Sequence, residues 1–392
     1  MRAAAVTAAA WLVVAAALPG AGAAELVGFA HFPADSFAGG PPSGQYTAEG
    51  RRLPQPRFGA QPVQGVSSIK PGPRPGTWWA LSDNGFGTRA NSFDYRLAVY
   101  LFEADPAAGR VRLERRIALR DPARHFPWRL TEESLPERPL TGADADPESL
   151  VVMPDGSFWV GDEHGPWLLH FSPEGVLLEP PVALRRPDGA VLRSAANPEV
   201  LAGTAAADLR ASKGFEGLAP GPRPGTLLAM LEGPIPGDPA DELRLFEFDL
   251  ARRDWTGRSW RYRLDSPAHV AAELAVRGDV YLVIERDDGH GDAARFKRIF
   301  SLRLPQDAAA ATAAGSAATD RKRVADLLDL ANPRGLAGAG PRFRFPFFTP
   351  EAVHALDGSR LLVVADNNFP ATGGRRAGQR DDTEWIWIEE TP

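Results

Sequence analysis

The sequence predicts an all-β fold, a β-propeller of five or six four-stranded blades. Three observations lead there. Short apolar runs of strand length dominate the chain, such as "TWWALS" from Thr77, "SFWVG" from Ser157 and "LLVVA" from Leu361. Turn residues separate them, with 39 Gly and 37 Pro in 392 residues, and sustained helical periodicity is rare. The runs also fall into a recurring unit of about four strands with a period of roughly 50–80 residues, the mark of blades with insertions rather than of a sandwich.

Taken in order, the chain opens on Arg2, an apolar Ala/Val/Leu stretch from Ala3 to Leu18, a Pro19-Gly20 break and the small residues Ala21-Gly22-Ala23. This predicts a signal peptide over 1–24 and export to the periplasm or the medium. Residues 25–392 are then a single domain with no stable membrane span after cleavage. The first unit runs from Ser67 to Asp83. The second leads from Glu148 to Asp162 through Pro154-Asp155-Gly156, and the third from Glu216 to Glu232. A weaker fourth runs from Glu273 to Glu285, and the last from Glu351 to Asp366 through Asp357-Gly358. "PGPRPGT" occurs twice, at 71–77 and 220–226, in the same place in its unit. A third strand follows each pair, as in "RLAVYLFEAD" and "EWIWIEE". The last unit lacks a fourth strand, which Glu25–Phe32 is expected to supply, closing the ring. A sixth unit could lie within Phe32–Pro62. Arg185–Leu209 reads as an insertion with a short helix near Asn197–Arg210, and the Ala-rich run from Asp307 as a surface loop.

Composition removes several functions. With no cysteine there is no thiolate zinc, iron–sulfur cluster or cysteine nucleophile. Seven His without an HExxH pair disfavour a His-rich zinc site, and no GxSxG supports a serine nucleophile. A formal charge of −6, with basic residues scattered, gives no reason to expect nucleic acid. What remains is the acids. The first two strands of a blade are antiparallel, so the start of one and the end of the next share a rim. Acids at both places would converge on one mouth and repel unless a cation or basic groups intervene. An oxygen-rich site of about six to eight ligands suits calcium. Turn capping explains any single Asp equally well, but it does not call for Glu.

The strings "SDNGFG", "ADPESLVVMPDGSFWVGDEHGPWLLHFSPEG", "KGFEGLA", "YLVIERD" and "FTPEAVHALDGSRLLVVADNNF", in this order, resemble the phytase-like family, described as having esterase-like activity of phytase. The resemblance runs from about Gly65 to Glu389. It implies an exported propeller and a phosphoester or phosphodiester hydrolase marked by recurring acids, here Asp83, Glu148, Asp162, Glu163, Glu216, Glu232, Glu285, Glu351 and Asp366. The resulting expectation is a monomer acting on a small-molecule phosphoester with a divalent metal, calcium. Glu148, Glu163, His164, Glu216 and Arg286 are the expected catalytic residues. Arg89, Lys213 and Lys297 are expected to bind substrate. Asp83, Asp162, Glu232, Glu285, Glu351, Asp366 and Asn367 are the expected metal ligands. A calcium-dependent lactonase or ester hydrolase and a non-catalytic ligand-binding propeller are the alternatives.

Overall fold

The repeating strand pattern of the sequence folds into antiparallel four-stranded units. The computed structural model describes residues 24–186, 189–305 and 317–391. The expected signal peptide up to residue 23, and most of the Ala-rich run after Asp307, lie outside them. Unit one comprises Val66–Pro71, Thr77–Ser82, Ala98–Asp105 and Arg110–Ala118. Unit two comprises Pro147–Val152, Phe158–Asp162, Trp167–Phe171 and Val182–Ala183. Unit three is Phe215–Pro220, Thr226–Leu231, Glu242–Asp249 and Asp254–Arg263. Unit four is Val270–Arg277, Val280–Arg286, Lys297–Arg303 and Asp320–Asp326. The last is Thr349–Ala355, Arg360–Asp366 and Thr383–Glu390, with Ala24–Phe32 pairing antiparallel to the third of these along its length. The first strands neighbour one another in the cycle one, two, three, four, five, one. This radial arrangement is that of a β-propeller.

The local reasons are visible in the turns. Both "PGPRPGT" copies close the same hairpin. The N–H of Gly72 donates to Thr77 O and that of Gly221 to Thr226 O, each at 2.8 Å. The Thr hydroxyls reach back to Arg74 O and Arg223 O, at 2.6 and 2.7 Å. Gly76 and Gly225 take φ of 78° and 76°, which a side chain would strain. The N-terminal strand alternates between buried and half-buried positions, so Leu26 and Ala30 enter the core while half-buried Phe29 packs edge-on against Phe343.

Apolar side chains fill the space between each pair of neighbouring units. Trp159 packs between units two and three, Trp260 between three and four, and Trp385 between five and one, all essentially fully buried. Each large apolar side chain taken from water contributes about 1.5–3 kcal/mol before entropy is set against it. Trp128 stacks on Trp167, and Trp255 packs on Phe215 and Phe248, so both are packing residues. Phe32–Pro62 makes the two-stranded ladder Phe37–Ala38 with Gln61–Pro62 and the isolated bridges Ser43–Phe58 and Tyr46–Arg52, rather than a four-stranded unit. In the insertion, Asn197 caps the short helix Pro198–Leu201, accepting from Glu199 N at 3.0 Å.

Candidate active site

A β-bulge in each first strand positions the acids. The register shifts by one residue between Val66 and Ser68, Pro147 and Ser149, Phe215 and Gly217, and Pro350 and Ala352. The extra residue is Ser67, Glu148, Glu216 and Glu351 respectively. A bulge re-aims its side chain, here toward the mouth of the central channel. The second strands deliver Asp83, Glu163, Glu232 and Asp366 to the same cleft, of about 260 Å³. Unit four departs from this pattern. Its bulge lies deeper, between Ala272 and Ala275, and Glu273 there pairs with Lys70 at 2.9 Å and Ser68 at 2.8 Å. At the mouth unit four presents Arg286, which lies 3.5 Å from its own Asp288.

Nine carboxylates line this cleft against two cations, Lys213 and Arg286. Lys213 pairs with Glu232. Arg286 donates to Glu351 at 3.0 Å and lies 3.9 Å from Glu232. Asp146 accepts from the N–H and Nδ2 of Asn84 at 3.1 and 2.8 Å. Asp83 accepts from Gly85 N–H at 2.8 Å and Asp366 from Asn368 N–H at 2.9 Å. Ligand atoms of Asp146, Glu148 and Glu163 lie within 4.8 Å of one another, as do those of Glu163, Glu216 and Glu232. At that spacing two like charges repel by about 3 kcal/mol with an effective dielectric constant of 20.

The titration behaviour follows. Burial, then the neighbouring acids, pushes Asp83, Glu148, Glu163 and Glu216 well above the ordinary carboxylate range. Burial also raises Glu351 to about 7, against the opposing pull of Arg286, and Asp366 to about 7 with help from Glu351. For Lys213 and Arg286 burial opposes the charge, but the surrounding carboxylates outweigh it and hold both above their usual values. The Glu163 Oε1 is buried without a hydrogen-bond partner. An excess of buried acids sharing an unsatisfied oxygen fits a divalent cation. Asp146, Glu148, Glu163, Glu216 and Glu232 offer its ligands.

The structure brings Asp83, Glu148, Glu163, Glu216, Glu232, Arg286, Lys213, Glu351 and Asp366 together and separates the rest. Asp162 does not face the cleft: its oxygens accept from Asp146 N–H at 2.8 Å and Gly165 N–H at 2.7 Å, which is loop capping. Glu285 points to the opposite face, bonded to Tyr262, His269 and Arg321. Both errors have one cause, because a one-residue offset along a strand reverses the side chain's face. Lys297 is occupied by Asp287 and by Phe348 O at 3.0 Å, and burial, reinforced by Arg286, lowers it to about 8. Arg89 lies over the Phe93 ring, its centroid 5.9 Å away, and is not among the residues lining the cleft. His164 stands behind Asp146, 3.6 Å from Oδ2, and burial lowers it to about 4, so its imidazole is neutral. Asn367 lines a neighbouring cavity instead.

Asp146 falls outside the acid-to-acid units, the second of which begins at Glu148. The only signal was its place two residues before Glu148, where alternation puts both on one face. Asn84 and Ser212, from loops, carried none.

Comparison with known proteins decides the family. A profile for phytase-like proteins, "esterase-like activity of phytase", matches residues 61–369. The chain belongs to the phytase-like family. An uncharacterized secreted protein of Arthroderma benhamiae is 32% identical over 123 residues, 27% of this chain and 24% of that protein, so the chain matches about a quarter of that relative's length. Among solved structures, a luciferin-regenerating enzyme aligns over 94% of this chain and 95% of its own, at 10% identity and TM-score 0.39. A calcium-binding regucalcin from Agrobacterium tumefaciens aligns over 84% and 92%, at 12% identity and TM-score 0.40. Among the described residues, no helix is long and apolar enough to cross a membrane.

Proposed function

We propose that this phytase-like protein is an exported, metal-dependent phosphoester or phosphodiester hydrolase built on a five-bladed propeller whose ring the N-terminal strand closes. The cyclic neighbourhood of the first strands supports the blade count, and the leader-like N-terminus and the secreted relative support export. One observation carries the function: a buried excess of carboxylates with two cations, Lys213 and Arg286, at the same mouth. Acids alone would hold metal. Acids beside cations accept a metal and an anionic ester together.

Asp146, Glu163, Glu216 and Glu232 would hold the cation, for which calcium suits the all-oxygen set. When bound, it supplies Lewis acidity toward the ester and toward water. Arg286 and Lys213 bind the phosphoryl oxygens and neutralise charge that grows as water adds to phosphorus. Glu148, which burial and then Asp146 and its other acidic neighbours hold above the ordinary carboxylate range, accepts the proton of the attacking water. The new P–O bond forms as the bond to the alcohol oxygen breaks.

Elemental mass spectrometry of the purified protein, with hydrolysis of bis(p-nitrophenyl) phosphate with and without chelator, tests this reading. Bound calcium and chelator-sensitive turnover are expected. Metal without phosphoester turnover, but with lactone turnover, would replace it with the lactonase.

A further inference from the structure

Beside the acidic cleft lies a second cavity of about 230 Å³, and the two share Asp366, Asn368 and Phe348. Its other walls include Phe347, His290 and Asn367, from loops that follow the second strands of units four and five and precede the first strand of unit five. The character differs from that of the cleft, with two phenylalanine rings and few charges. His290 stands edge-on to Phe348, with centroids 6.3 Å apart. Asn367 is only 2% exposed, yet neither its Oδ1 nor its Nδ2 has a hydrogen-bond partner. An unsatisfied buried amide costs about 1–3 kcal/mol. It is an acceptor and a double donor held side by side in an aromatic wall.

We infer that this cavity is a specificity subsite for the esterified group of the substrate, and that this group is planar and carries an adjacent hydrogen-bond donor and acceptor. The inference rests on the hydrolase reading for its link to the cleft. Phe348, 40% exposed, supplies stacking area, and the Asn367 amide pairs with a complementary donor–acceptor edge, as a carboxamide or heterocycle presents. A polyanionic sugar phosphate matches neither feature. Because the cavities share a wall, a ligand can place its phosphoryl group beside Arg286 and its ring beside Phe348. A site built around such a pair rejects an analogue that lacks it more strongly than an apolar pocket would.

Benzamide is the test probe, with acetophenone, its near-isostere lacking the donor, as control. Binding to the full-length protein is followed by ligand-observed NMR, with and without chelator, so the readout needs no hydrolysis. We expect benzamide to bind at least about tenfold more tightly than acetophenone. That preference should vanish in Asn367→Leu. Ala371→Trp, on the exposed rim of the same cavity, should block both probes and serves if Asn367→Leu fails to fold. No benzamide binding to the native protein, or equal binding in Ala371→Trp, would overturn the inference. Selective benzamide binding without phosphoester turnover would keep the pocket and refute the hydrolase reading, so the two failures are told apart.

Discussion

Glu351 offers the sharpest energetic test. Its carboxyl is raised to about 7 from an ordinary 4.5. A folded-state value above the unfolded one gives stability that is complete below pH 4.5 and is lost as pH rises through about 7. The shift corresponds to about 3 kcal/mol at 1.36 kcal/mol per unit. Glu351→Gln keeps the shape and removes the titration; it also relieves Asp366, so the difference from the parent reports Glu351 together with the acids it acts on. With chelator present, the variant's stability relative to the parent should improve by about 3 kcal/mol between pH 4.5 and pH 8. Taking about 2.1 cal/mol/K of unfolding entropy per residue, that is a relative Tm gain of roughly 4 °C. Scanning calorimetry at several pH values in EDTA would measure it. A Tm difference that stays constant across that range, or moves the other way, would show that the acid is not held protonated by its surroundings. Calcium at pH 8 should raise the parent's Tm, as a ligand that binds only the folded state must.

Further outcomes follow from the same geometry. Glu148→Ala and Glu216→Ala should each lower phosphodiester turnover by at least about 100-fold while circular dichroism is unchanged, the range expected for removing a general base or a transition-state contact; full activity in both would refute the assignment. Arg286→Met strips the cation from buried Glu351 and should destabilise the chelated protein by about 3–5 kcal/mol, measured by urea unfolding. Gly214→Ala would place a methyl 2.4 Å from the Glu163 Cα, so metal affinity by calorimetry should fall although no carboxylate is removed. His354 is lowered to about 4 by burial, so its contribution to stability is complete above about 6.5 and is lost as pH falls toward 4. His354→Gln should flatten that acid limb in thermal scans.

Most of the fold was legible because its cues are local and repeated. The two "PGPRPGT" turns form identical hydrogen bonds, and the missing fourth strand of the last unit pointed to the N-terminal segment that pairs there. The site was legible to within one residue. Counting acids along a strand finds the rim but not the face, and a β-bulge leaves no mark in composition. Asp162 and Glu285 were therefore expected beside Glu163 and Arg286, although only the latter two line the cleft. Asp146 escaped because its role depends on a loop partner, Asn84, that lies 62 positions away. Lys297 and Arg89 were near the motifs in the sequence, but proximity along the chain does not say which carbonyl or ring will claim a long side chain.

The unit-four exception has a consequence for how a ligand is seated. A ring of equivalent repeats, each giving the same acids, would offer a bound ion or ester as many equivalent poses as there are repeats. Arg286 breaks that degeneracy together with Ser67 of unit one, since the deeper bulge of unit four takes its Glu273 down the channel to Lys70 and brings a guanidinium, beside Asp288, to the mouth. A rotationally repetitive scaffold thereby acquires a compass direction, set by its two cations, Arg286 and Lys213. On the proposed reading, an ester whose anionic end meets Arg286 has Phe348 beside it, since the guanidinium lies 5.7 Å from the centre of that ring.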